Sequence, residues 1–544
     1  MIRNLCKTAV VSCKETVYTY NLFHMVKAFF PDAEIRQTVD EEQEPLVNLV
    51  LDGGSFFSIM PDLSVKTKDD GKDANPQESA MDGAGLPEDK EDSGVARSTG
   101  DSWLIGSTDD SSLTGSKGDW EADRQARKKW VTLQVYEFLA AYTGRQLAWG
   151  MLTGVRPVKL AMGRLEAGDD EEGIRAFLSR EYRVSEEKAG LAAQIAVRER
   201  ELLGRLDYQK GFSLYIGIPF CPSICTYCSF SSSPIGLWKN RIEDYLDALL
   251  REIRALGALG QGRKLDTVYI GGGTPVTLEG AQLDRLLSVI EETFADAAGG
   301  KGILEYTVEA GRPDSITEEK LKVLRRHGIS RISVNPQTMQ QKTLERIGRR
   351  HTAEDAAESF WLARELGFDN INMDLIAGLP GETACDMQDT LRQIEALGPD
   401  SLTVHSLAIK RAARMGQEQE MAKAGTAYAE ISRMVRDSEK AAARMGLLPY
   451  YLYRQKNIAG NFENVGYAKA DKAGIYNILI MEEKQTILAA GAGTTTKIVL
   501  PEKIRLDNGK ETNLIRQENV KDVASYIRTI DEIIEHKQRL LEKW

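Results

Sequence analysis

The sequence predicts an α/β protein built on a partial barrel of six β/α units, flanked by a small N-terminal α/β plus helical region and a C-terminal α/β extension. Three observations predict it. Short apolar runs recur at LYIGIPF (214–220), TVYIGGG (267–273), LEYTVEA (304–310), RISVNPQ (331–337), NINMDLIAGLP (370–380) and SLTVHSLAI (401–409). Helical patterns such as RIEDYLDALLREIRAL, AQLDRLLSVIEETF and AEDAAESFWLARELG separate them, and parallel strands need such crossovers. The runs are also nearly continuous in apolar residues, as in a sheet buried on both faces. Barrels of this kind gather their chemistry at the C-terminal ends of the strands.

The flanking elements follow in order. TAVVSC and PLVNLVLDG read as strands around a helix-like NLFHMVKAFF, giving a small α/β module over 1–65. Residues 66–119 are rich in Asp, Gly, Ser and Lys and lack any period, which predicts a disordered linker or insertion. A helical region spans 120–210, from WEADRQARKKWVTLQVYEFLAAYTG to SEEKAGLAAQIAVRERELLGRL, broken at WGMLTGVRPVKL by Gly154 and Pro157. The barrel core covers 211–410. The extension, 411–544, opens with a long helical stretch, continues through LPYYLYRQKN and the strand-like runs YNILIM and TILAAGAG, and ends in a helix near 518–543. This tail is expected to pack as a smaller unit against the barrel mouth.

Composition narrows the class. The 544 residues carry a formal net charge of −11, which argues against nucleic acid as a partner, since such proteins normally show a basic face. No apolar run reaches the ~18 residues of a membrane span. The N-terminus, MIRNLCKTAVVSCKE, lacks the sustained apolar core of a signal peptide. Six cysteines in a chain of this length are too few for a disulfide scaffold. Reduced thiols and a cytoplasmic location are the expectation.

Three of those cysteines, Cys221, Cys225 and Cys228, form C-x₃-C-x₂-C just after the first barrel strand. A structural zinc site closes with four ligands, and the five histidines (24, 327, 351, 405, 536) are all remote in sequence. A disulfide would leave the third thiol over, and three thiols within eight residues beside two prolines are not a core pattern. The alternative is a [4Fe–4S] cluster held by three thiolates, which suit iron–sulfur chemistry. One iron would then lack a protein ligand and could bind a small molecule.

The triplet and its position resemble the radical S-adenosylmethionine (SAM) superfamily. In that family the fourth iron chelates SAM, and reductive cleavage yields methionine and a 5′-deoxyadenosyl radical. The string Y-x-G-I-P-F-C-P-S-I-C-T-Y-C is similar to the coproporphyrinogen oxidase branch, whose usual form is Y-x-H-I-P-F-C. Here Gly217 stands where histidine is usual, and Phe230 where the best-known members have a further cysteine. Further matches are GGGTP (271–275), TVEAGRPDSI, RISVNPQTM, IGRRH and NMDLIAGLPGE. With WGMLTGVRP upstream and YYLYRQKN downstream, the layout is most similar to HemZ-type oxygen-independent coproporphyrinogen III dehydrogenases.

The resemblance implies roles position by position. Tyr215, Tyr227 and Gly272 would contact the cluster-bound SAM, and Glu309 would accept hydrogen bonds from its ribose. Gly273, Thr274, Gln337, Arg349, Asp374 and Ala408 match positions lining a second SAM. For Arg349 a solvated helix face shared with Arg346 and Arg350 competes, and His351 is read as structural. The implied reaction is oxidative decarboxylation of two propionates of coproporphyrinogen III to vinyls, giving protoporphyrinogen IX. A four-carboxylate porphyrinogen needs cationic partners. Lys410, Arg411, Arg414, Arg454 and Lys456 are candidates, though a solvated face competes for Arg411 and Arg414. A reduced flavodoxin or ferredoxin-type protein would donate electrons.

Competing readings are a haem chaperone of the same branch, a related methyltransferase or haem-degrading enzyme, and a cluster-bearing electron carrier or redox sensor. The chaperones carry H-N-x-x-Y-W in the tail, where this chain has Y-N-I-L-I-M (476–481).

Overall fold

In the computed structural model two compact units form, Met1–Gly154 with Arg175–Ala189, and Val155–Ile174 with Gly190–Trp544. The structure describes residues 6–31, 33–52, 54–68, 124–154, 156–228, 230, 232–299, 302–407, 428–454, 462–505 and 511–541. Most of the expected insertion over 66–119 therefore lies outside the described residues, as do Ala408, Lys410, Arg411, Arg414 and Lys456.

The first unit holds a five-stranded mixed sheet in the order β2-β1-β3-β4-β5. Its strands are β1 (Thr8–Cys13), β2 (Glu34–Val39), β3 (Val47–Leu51), β4 (Ser55–Ile59) and β5 (Val65–Lys68). The helix Thr16–Phe29 buries Leu22, Met25, Val26 and Phe29. Phe29 meets Tyr136 of the helix Arg124–Thr143 at 5.6 Å between ring centroids, and Phe57 stacks on Phe138 of that helix at 4.8 Å.

The second unit is organised by an eleven-stranded sheet. Its centre is six parallel strands lying side by side in chain order: β6 (Gly211–Ile218), β9 (Lys264–Gly272), β10 (Glu305–Glu309), β11 (Arg331–Ser333), β12 (Ile371–Ala377) and β13 (Ser401–Ser406). Between β6 and β9, the short strands β7 (Phe220–Cys221) and β8 (Ser233–Pro234) pair with each other and close the cysteine loop. The crossovers are helical, as the sequence period requires, and their starts are locally encoded. Thr352 with Asp355 and Thr383 with Asp386 form reciprocal capping boxes, and Thr317 accepts from the Lys320 amide. Such caps satisfy amide donors that the first helical turn leaves unpaired.

The tail adds to both edges of this sheet instead of making a sheet of its own. Beyond β13 lie β14 (Leu448–Tyr453) and β15 (Asn464–Ala468), with β15 antiparallel to β13. On the other edge β16 (Thr486–Ala490) runs parallel to β6, followed by the hairpin of β17 (Thr495–Arg505) and β18 (Glu511–Glu518). The expected final helix is present as two segments, Val523–Arg528 and Ile530–Leu541.

One expectation is corrected. YNILIM is not a strand but lies in the helix Ile475–Glu482. A short apolar run has no period that separates the two states. Here a remote residue decides: the Glu305 carboxylate on β10 accepts from the Ile475 and Tyr476 amides and caps a helix whose preceding Gly474 offers no side chain.

The segment WGMLTGVRPVKL also gains a physical account. Arg156 makes a two-pronged ion pair with Glu483, at 2.6 and 2.8 Å, just past that helix. Lys497 (3.2 Å) and Arg516 (2.8 Å) share the same carboxylate. Burial opposes the charge, but Arg156 and Lys497 outweigh it and hold Glu483 far below the usual carboxylate range.

Candidate active site

The site is assembled at the C-terminal ends of β6, β9, β10, β11 and β12. After β6 the chain enters the loop carrying Cys221, Cys225 and Cys228, all free thiols, with Cys225 buried. The loop is tied down by the Thr226 amide donating to Ile347 O (3.1 Å) and the Ser233 amide to Pro219 O (2.8 Å). Thr274 Oγ1 lies 3.5 Å from Cys221 Sγ, and Arg312 Nη1 lies 3.5 Å from Cys225 Sγ. Burial pushes the Cys221 and Cys228 thiols up, so metal binding there must release protons.

These residues fit an iron–sulfur cluster. The donor set is three thiols on one loop. The glycine run makes room beside it: a Cβ on Gly273 would stand 2.5 Å from Phe220 O and 3.0 Å from Cys221 Sγ. Gly272 adopts φ +109°, which side-chain-bearing residues rarely reach. Among the described residues, no three His, Cys, Asp or Glu side chains are placed to hold a metal ion as they stand.

Behind the loop, two carboxylates occupy adjacent ground in contrasting environments. Glu309, ending β10, accepts from Tyr269 Oη at 2.5 Å. Burial, reinforced by the Asp374 charge, pushes it up to about 7 against the pull of the Tyr269 bond. Asp374, on β12, accepts from Asn372 Nδ2 at 2.7 Å and faces His405 Nε2 at 3.8 Å. Burial alone would raise it, but His405 and Asn372 hold it below the usual carboxylate range. Two acids pushed apart in this way can serve different tasks near neutral pH.

Gln337 follows β11 with φ +70°, an uncommon backbone state for a non-glycine residue. Its amide donates to Asp374 O and its carbonyl accepts from Ile376, both at 2.9 Å, which stitches it to β12. Arg349 is buried, which overturns the solvated-face alternative, whereas Arg346 and Arg350 are exposed. It donates to Asn335 O at 2.5 Å and to Tyr227 Oη at 3.3 Å. Tyr227 packs against a cluster of Ile347, Ile376, Leu379 and Leu407. Tyr215 is joined by Tyr269 and Tyr476 in a stack with centroid separations of 4.6 to 6.1 Å. Gly273, Thr274, Tyr227 and Arg349 thus adjoin or belong to the thiol loop, Gly272 and Tyr215 line one cavity beside it, and Glu309, Asp374 and Gln337 form a linked group at the neighbouring strand ends. Arg454 is buried at the end of β14. His351 is buried as well.

Sequence reading missed Arg312, Tyr269 and His405. Arg312 bridges Asp314 (2.7 Å), Ser223 Oγ (3.1 Å) and Cys225. It stood in the AGRPD stretch beside Glu309, and an Arg-Pro pair directly after a strand run was the available signal. Tyr269 sat inside the strand run TVYIGGG, where an aromatic reads as core.

A cavity of about 190 Å³ beside the loop is lined by Tyr215, Gly217, Ile218, Pro219, Phe230, Gly272, Ala492, Gly493 and Thr494. It contains both departures from the family string, Gly217 and Phe230. A Cβ on Gly217 would come within 2.5 Å of Thr494 Cγ2. Gly217→His is therefore expected to destabilise the protein by ~1–3 kcal/mol, the usual cost of overpacking. Adding Thr494→Gly should recover most of that loss. Urea unfolding of the single and double variants checks this, and a stable Gly217→His single variant would contradict it.

Comparison with known proteins matches residues 215–394 to the Radical SAM superfamily model. The chain is 41% identical over 426 residues to the oxygen-independent coproporphyrinogen-III oxidase-like protein HemZ of Bacillus subtilis, covering 78% of this chain and 82% of that one. It is 39% identical over 199 residues to the heme chaperone HemW of Bacillus subtilis, covering 36% of this chain and 51% of the relative. Among solved structures it is similar to coproporphyrinogen III oxidase (HemN) of Escherichia coli, at 24% identity and TM-score 0.48, covering 59% of this chain and 70% of that one.

Proposed function

Because this chain belongs to the radical SAM superfamily, among HemZ-like oxygen-independent coproporphyrinogen-III oxidase-like proteins, we propose that it oxidatively decarboxylates propionate side chains of coproporphyrinogen III to vinyl groups. The observation that carries the reading is the meeting of the three-thiol loop with Glu309, Asp374 and Arg349 at one end of six parallel strands. Cys221, Cys225 and Cys228 would hold a [4Fe–4S] cluster. With SAM bound, that cluster supplies the hydrogen-abstracting radical, and the protein's share is binding, orientation and protection.

In this reading Tyr215, Tyr227 and Gly272 contact the cluster-bound SAM, and Glu309 accepts from its ribose hydroxyls. A second SAM is assigned to Gly273, Thr274, Gln337, Arg349 and Asp374, with Ala408 completing the set. Thr274 and Arg312 offer hydrogen bonds to thiolate sulfur, which stabilises the ligating form. Each decarboxylation releases one electron beyond the hydrogen atom removed, so an electron acceptor is required as well as a reduced flavodoxin or ferredoxin-type donor. Among the described residues no helix is long and apolar enough to cross a membrane.

The haem-chaperone reading is supported by the likeness to HemW. Against it stands Tyr476 at the position of that motif's histidine: it is buried in the tyrosine stack, so its ring is committed to packing. The test is anaerobic. Reconstituted protein with reductant, SAM and coproporphyrinogen III is expected to form protoporphyrinogen IX and 5′-deoxyadenosine together. Deoxyadenosine without decarboxylated porphyrin would remove the substrate assignment. Stoichiometric haem binding with no deoxyadenosine would favour the chaperone.

A further inference from the structure

Tyr269 is fixed on every side. Its ring stacks on Tyr476 at 4.6 Å and 23°, and on Tyr215 at 6.1 Å and 16°. Tyr476 arrives on the helix Ile475–Glu482, whose first amides are held by Glu305 of β10. Its phenol donates a 2.5 Å hydrogen bond to Glu309 Oε1. Backbone closes in from the other side, since a Cβ on Gly271 would stand 3.1 Å from Glu309 Cδ and Oε2. Stacking restricts the ring, and the hydroxyl it carries in turn orients the carboxylate.

We propose that Tyr269 is a positioning residue that holds the Glu309 carboxylate as an acceptor for the ribose hydroxyls of an adenosyl ligand. The inference rests on the reading above, in which SAM lies against Glu309. No motif match assigns Tyr269 a part in binding.

The groups facing Glu309 are Tyr269 on β9, Arg331 on β11, Asp374 on β12 and His405 on β13, with the rings of Tyr215 and Tyr476. Burial and Asp374 favour its protonated form; Tyr269, Arg331 and His405 favour the carboxylate. With the acid at about 7, removing the Tyr269 donor raises it further. A hydrogen bond to a charged group contributes enough to move such an acid by about one to two pH units.

The first experiment uses cluster-free full-length protein with ¹³C-labelled glutamate carboxyls, titrated by infrared spectroscopy, with Glu309→Gln to assign the band. Tyr269→Phe should move the midpoint upward by about one to two units, while Tyr476→Phe, which keeps the ring stack, should not. An unmoved midpoint in Tyr269→Phe overturns the proposal. The second uses reconstituted protein and SAM in equilibrium dialysis across pH 6–9. With Glu309 raised to about 7 in the wild type, such a further shift leaves the variant carboxyl the more protonated at pH 7. Affinity should therefore fall about 5- to 50-fold at pH 7 and converge with wild type at the alkaline end. Equal loss at every pH would indicate a packing defect and overturn the proposal. If wild-type protein binds no SAM at any pH, the cofactor reading fails, and the ribose role of Glu309 fails with it. The infrared titration separates that outcome from an error about Tyr269 alone.

Discussion

Replacing any one of Cys221, Cys225 or Cys228 with alanine is expected to abolish the brown visible absorbance of anaerobically reconstituted protein, together with all SAM cleavage. Each thiol is one of three, and the loop offers no substitute: Phe230 occupies the position where a fourth cysteine stands in related proteins, and its side chain is exposed. The remaining thiols lie away from the loop: Cys6 and Cys13 are buried beside and on β1 of the first unit. Cys385 is exposed in the first turn of the helix Ala384–Leu397, outside the assembled site. Cys385→Ala should leave iron content, absorbance and SAM cleavage at wild-type values. Iron retained at full stoichiometry in any of the three loop variants would sink the ligand assignment.

Lys537→Ala is expected to cost about 3–5 kcal/mol, the loss found when one partner of a buried ion pair is deleted. Glu252 is fully buried on the helix Ile242–Leu259 and receives Lys537 Nζ at 2.5 Å. Tyr526 Oη (2.5 Å), Asn519 Nδ2 (2.9 Å) and the Gly491 amide (2.8 Å) complete its shell, and Lys537 also donates to Ala489 O. Alanine removes the one cation while leaving the carboxylate dry. The double variant Glu252→Gln/Lys537→Met removes both charges, so it should lose clearly less than Lys537→Ala. Urea unfolding followed by tryptophan fluorescence and circular dichroism measures both. Equal losses would mean the charge itself is not the cause. Because Glu252 holds the Gly491 amide, the defect should reach the Ala492–Thr494 wall of the cavity beside Gly217.

The cluster loop was legible because its evidence is local: the spacing of three thiols along eight residues survives any arrangement of the rest. The six strands were legible for a similar reason, since LYIGIPF, TVYIGGG and their successors are continuous in apolar residues and each is followed by a long amphipathic period. Arg349 was named by the family resemblance, but its burial was not legible. Its neighbours Arg346 and Arg350 make IGRRH look like a charged face, and only the packed fold shows that the middle guanidinium points inward to Asn335 and Tyr227. Tyr269 was hidden because a strand aromatic carries the same sequence signal whether its hydroxyl meets solvent, backbone or a buried carboxylate.

What the residues determined alone was the thiol set and the six apolar strand runs separated by helical periods. Each of these is carried by a pattern within a short stretch of chain. What required tertiary structure was the state of YNILIM, fixed by Glu305 about 170 residues earlier. So was the space at Gly217, taken by Thr494 from the turn between β16 and β17, late in the chain. An amide or a methyl group responds to whatever atom lies within a few ångströms, and for those positions that atom comes from far along the sequence.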